Sequence, residues 1–99
     1  MTVFALINEQ GPKWDPSRPM REQVGWAEHA DFMNALVADH LVALGGPLRK
    51  GPKHRAMLIL RADDEKALIA RLANDPWMRS GVLRIAELVP WELLLGELP

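Results

Sequence analysis

Cysteine is missing from all 99 residues. That absence excludes disulfides, thiolate nucleophiles and cysteine-based zinc sites together, and it suits a reducing compartment. Long apolar runs are missing as well. Nothing approaches the ~20 residues of a membrane span, and the opening MTVFALINEQ has no basic lead into a long apolar stretch. A cytoplasmic protein without a membrane partner is therefore expected. Charge of one sign is also lacking: the formal net charge is -1, which gives no reason to expect a nucleic-acid partner. The basic group Arg49, Lys50, Lys53, His54 and Arg55 has no interleaved aromatics and reads as a solvated loop.

What is present is an ordinary globular composition, 48% apolar and 25% charged, in a chain whose length suits one domain over residues 1–99. Thr2 to Asn8, TVFALIN, is short and rich in large or β-branched residues, and it stops at the proline-containing EQGPKWDPSRP, as a buried strand would. From about Gln23 to His40 the period becomes helical. His29, Phe32, Met33, Leu36, Val37 and His40 fall on one stripe, which Trp26 extends backward. LVALGGPL (41–48) and RAMLILRA (55–62) read as strands, and the segment RKGPKH suits the hairpin connection between them. DDEKALIARLAND opens with acids suited to a helix start, and Pro76 disfavours helical backbone at Asp75, which places the helix end near Asn74. VLRIAELV (82–89) makes the last strand.

The order β-α-β-β-α-β folds most simply into a ferredoxin-like α+β domain, a four-stranded antiparallel sheet with both helices on one face. In the strands, however, the residues of both faces are apolar: Val3, Ala5 and Ile7 as much as Phe4 and Leu6, Met57 and Ile59 as much as Leu58 and Leu60. A sheet covered on one side by helices would otherwise alternate to polar. The remaining cover is a second copy, so the sequence predicts a homodimer joined through the sheet face.

Two polar residues stand out. His29 occupies an apolar stripe, where one reading is a core histidine satisfied by a single hydrogen bond. Asp75, in NDPWMRSG, falls at the expected C-terminal end of the second helix, where the helix dipole disfavours an anion. An Asp-Pro turn bonding local amides accounts for it in one way. The functional alternative is a carboxylate that orients the imidazole for general acid-base work. Ser80 lies five residues beyond Asp75, but no nucleophile-elbow pattern surrounds it. His29 and His40 are about 16 Å apart at ~1.5 Å per residue, too far for one metal. Trp14, Trp26, Trp77 and Trp91 suit core packing or a pocket wall.

Taken in order, GWAEHADFM, LGGPL, NDPWMRSG and PWELLLG, with the opening FALINEQGPKWDPSRPMREQ, resemble the YCII-related (YciI-like) family of small bacterial proteins nearly end to end. The resemblance implies a dimeric α+β barrel and an active site built on a histidine and an aspartate, which correspond to His29 and Asp75. One related member type is a dehydrochlorinase, so lyase or isomerase chemistry on a small organic molecule, without a cofactor or metal, is the implied activity. Shorter members carry an arginine three residues before the histidine, where this chain has Trp26. Arg18 or Arg21 would have to replace it for an acidic substrate. Trp26, Phe32, Trp77, Ser80 and Arg21 are the expected substrate contacts, and a non-catalytic binding or interaction module is the rival reading.

Overall fold

Alternation in TVFALINEQ puts Phe4, Leu6 and Asn8 on one side of an extended chain and Val3, Ala5 and Ile7 on the other. In the computed structural model, which describes residues 1–98, this segment is β1, Thr2–Gln10. It is followed by a 3-10 turn at Met20–Glu22, α1 at Trp26–Ala38, β2 at Val42–Leu48, β3 at Arg55–Ala62, α2 at Glu65–Leu72, α3 at Pro76–Ser80 and β4 at Leu83–Pro90. The strands form one antiparallel sheet in the order β2-β3-β1-β4, which is the ferredoxin-like arrangement. The β2–β3 hairpin pairs Val42 with Leu60 and Leu48 with Arg55.

One face of the sheet holds the core. Phe4 faces Leu60 and Leu6 faces Leu58 across β1 and β3, and Leu36 of α1 packs into the same cluster as Leu68 and Leu72 of α2. Both long helices therefore cover the same side. On the other face Val3, Ala5, Ile7, Met57 and Ile59 form an apolar surface, which Leu44 and Val89 extend across the register at 50% and 40% exposure. Among the described residues no helix is long and apolar enough to cross a membrane.

Helix α1 is shorter than the Gln23-to-His40 span that its periodicity suggests. Gln23 stays outside it and is buried: its side chain accepts from Asp15 N at 2.9 Å and donates to the carbonyls of Asp15 and Arg18, both at 2.8 Å. One amide thus fastens the loop that follows β1. At the other end His40 takes a left-handed backbone (φ 62) and Leu41 N returns to Leu36 O at 2.9 Å, closing the helix. His40 faces solvent as a result, and Val37, also exposed, borders a cavity beside α1.

Helix α2 begins as the acidic run suggests, with Asp64 accepting from Lys66 N, but it stops at Leu72. Asp75 does not sit at a helix C-terminus. It is the N-cap of the separate helix α3, with Pro76 at the first helical position, where its fixed φ and missing N–H cost nothing.

Candidate functional site

Helix α3 exists because Asp75 caps it: Oδ1 accepts from Trp77 N at 2.9 Å. The same carboxylate reaches α1. Its Oδ1 lies 2.8 Å and its Oδ2 3.0 Å from His29 Nδ1, and both residues are buried. Nδ1 faces only carboxylate oxygens and so carries the proton it donates. The lone pair then resides on Nε2, on the opposite edge of the ring. One carboxylate thus makes both the local cap and the contact with His29.

Trp77 completes the pair. It is 1% exposed, its ring is stacked on the His29 imidazole with centroids 4.0 Å apart, and its Nε1 donates to Val24 O at 2.8 Å. Gly25, at φ 82, lets the chain enter α1 against this indole: a Cβ there would be 3.4 Å from Trp77 Nε1. Trp26 leans on both rings, 5.9 Å from His29 and 5.6 Å from Trp77.

His29, Trp26 and Trp77 line a cavity of about 300 Å³ between α1 and the β2–β3 side of the sheet. Its remaining walls are mostly apolar, including Met33, Val42, Leu58 and Leu83, with Asn8, Asn34 and His54 adding polar groups. His54 stays at the end of the basic loop, just before β3, but its side chain turns toward the cavity. Its ring stacks on Trp14 at 4.4 Å, and Gln10 binds its backbone on both sides, N to His54 O at 3.0 Å and Oε1 to His54 N at 3.1 Å. Burial first, and the charge of His29 second, hold the His54 imidazole below the ordinary histidine range.

The structure thus brings together His29, Asp75, Trp26 and Trp77. The other expected contacts lie elsewhere. Phe32, one turn beyond His29, packs against the main core, because the i+3 position on α1 faces the sheet and not the cavity. Ser80 is exposed at the end of α3, its hydroxyl 3.5 Å from Trp77 O. Arg21 is exposed with its guanidinium carbon 5.8 Å from the Trp26 ring centroid, and Arg18 pairs with Asp15 at 3.5 Å. Among the described residues no cluster of three histidine, aspartate or glutamate side chains could hold a metal. Asn8 and His54 were not singled out by the sequence. For Asn8 a signal existed, since it is in phase with Phe4 and Leu6, whereas His54 depends on a pairing between segments 44 residues apart.

The YCII-related domain family matches residues 2–92. No curated protein matches the chain. Among solved structures it is similar to 5-chloro-2-hydroxyhydroquinone dehydrochlorinase (TftG) from Burkholderia phenoliruptrix AC1100 in complex with 2,5-dihydroxybenzoquinone. The TM-score is 0.57 at 21% identity, over 94% of this chain and 95% of that one. At that identity the likeness is one of fold.

Proposed function

The chain belongs to the YCII-related domain family, and on that premise we propose that it is a cofactor-independent enzyme moving a proton on a small organic molecule. The observation that carries this is the buried His29–Asp75 pair set in the wall of a cavity of about 300 Å³. Nε2 of His29 takes a proton from a carbon next to a carbonyl or leaving group, and Asp75 faces the positive charge that then forms on the ring. Returning the proton to another carbon completes an isomerisation; expulsion of a leaving group completes an elimination. A dehydrochlorinase of the same fold favours the second outcome. Trp26 supplies a flat wall for a ring-shaped substrate, and Trp77 backs the His29 ring. The working form is a cytoplasmic homodimer joined through the apolar sheet face.

A panel of compounds tests this without a named substrate. Hydroxylated aromatic rings and small keto compounds, with chlorinated versions of each, are incubated in D2O and followed for deuterium uptake or chloride release. The expected result is turnover of at least one compound that falls about 100-fold or more in His29→Gln. Full turnover in the variant, or none by the wild type across the set, removes the enzymatic reading.

A binding module is the second reading, and the capping bond of Asp75 favours it, because that bond gives the carboxylate a structural use. On this reading His29→Gln lowers stability and changes no reaction.

A further inference from the structure

Asn8 is 4% exposed, stands in the cavity wall, and its Oδ1 has no hydrogen-bond partner among the described residues. A buried acceptor left unmet is less favourable than an apolar side chain of the same shape, so an asparagine here asks for an explanation. Its sheet neighbours supply none. Across β3 it faces Ala56, and across β4 it faces Ile85, beside the register shift between Ile7 and Asn8. The irregularity interrupts the regular β1–β4 ladder beside the one β1 residue that joins the cavity wall.

We infer that Asn8 is a substrate-recognition residue whose carboxamide oxygen accepts a hydrogen bond from a neutral hydroxyl on a small flat ring. The inference rests on the proton-transfer reading above for the orientation of that ring, with its reacting carbon at His29 Nε2. Oδ1 accepts only, so the partner it lacks is a donor such as a hydroxyl. The charge of the cavity agrees. No lysine, arginine, aspartate or glutamate lines it among the described residues, and burial disfavours protonation of His54. An anionic ligand would find no counter-charge on these walls except by protonating a histidine. Arg21 lies over the Trp26 ring but outside the cavity lining.

The probes are hydroquinone, 1,4-dimethoxybenzene, which keeps the ring and loses the donors, and benzoate, titrated to millimolar concentration and followed by the tryptophan indole N–H signals in NMR. The wild type is expected to bind hydroquinone at least 10-fold more tightly than the dimethoxy compound and more tightly than benzoate. Asn8→Leu should erase the hydroquinone preference while its Tm holds or rises, since a structural asparagine would instead lower Tm on removal. Asn8→Ala carries the same binding expectation should the leucine variant fail to fold. The binding readout requires no turnover, which separates recognition from proton transfer. Absence of hydroquinone binding, stronger binding of benzoate, or a preference that survives in both Asn8 variants overturns the inference.

Discussion

The indole of Trp77 lies flat on the imidazole of His29, 9° from parallel and 4.0 Å between centroids. This contact fixes the ring plane that Asp75 fixes in direction, and Trp77 also spans to Val24 through its N–H. Trp77→Ala should destabilise by about 3–5 kcal/mol. Trp77→Phe keeps an aromatic face but leaves the Val24 carbonyl unmet, and should cost about 1–3 kcal/mol. Urea unfolding checks both, and a phenylalanine variant as unstable as the alanine one would show that the N–H and not the stack dominates.

Asp75→Asn separates the two uses of the carboxylate. Asparagine caps helices as well as aspartate does, so α3 should persist with a loss of about 1 kcal/mol, whereas proton transfer at His29 should fall by 100-fold or more. Asp75→Ala removes the cap and orphans a buried ring nitrogen together. Its loss should reach about 2–4 kcal/mol. Equal stability of the two variants, measured by chemical denaturation, would mean that the cap contributes little.

His54 makes stability depend on pH. Its folded pKa lies below the ordinary 6.5 because of burial and then the His29 charge. The unfolded chain consequently binds more protons below that value, so the contribution is complete above about pH 6.5 and is lost as pH falls from there toward the folded pKa. Urea midpoints measured from pH 8 down to 5 should decline more in the wild type than in His54→Gln. Parallel curves would clear His54 of the effect. Asp15 acts at lower pH. Its carboxyl is lowered by the Ser17 hydroxyl and amide, so what it contributes is present above 3.8 and lost below.

Two glycines should behave oppositely. A Cβ on Gly11 would stand 2.3 Å from the carbonyl oxygen of Gly81, and backbone cannot step aside cheaply. Gly11→Ala should destabilise by about 2 kcal/mol or more. Around Gly46 in β2 nothing lies within 4 Å of the added carbon, and replacing a strand glycine lowers the entropy lost on folding, so Gly46→Ala should be neutral or stabilising by up to about 1 kcal/mol. Thermal melts of the pair provide the comparison.

Leu44 and Val89 lie on the apolar face opposite the helices. If that face joins two copies, Val89→Glu should shift sedimentation from dimer toward monomer, because a carboxylate cannot be desolvated there without a partner. A wild type that sediments as a monomer at micromolar concentration refutes the proposed interface.

The elements of this fold were legible where periodicity is long or composition abrupt. RAMLILRA and its hairpin partner, the acidic start of α2 and the central TVFALIN all give a strand or helix at or near the expected residues. Boundaries set by backbone details were not. Nothing in DDEKALIARLANDPWMRS distinguishes one helix ended by proline from two helices divided at a capping Asp75, since Asp-Pro serves either. Phe32 and His29 share a stripe in sequence yet part company in space, because a helix seated on a sheet offers one edge of its apolar stripe to the core and the other to the cavity.

The sequence by itself determined the order of the four strands and the two longer helices, the apolar character of both sheet faces, and the two residues, His29 and Asp75, whose polarity conflicted with their surroundings. These are local properties, written in spacing and side-chain type. Only the tertiary structure decided what those polar groups do. It set Asp75 against His29 Nδ1 across 46 positions of chain, laid Trp77 on the ring, stacked His54 on Trp14, and left Asn8 Oδ1 buried without a partner among the described residues. Such placements depend on which elements pack together and at what register, and a hydrogen bond of 2.8 Å requires positions that no spacing along the chain encodes.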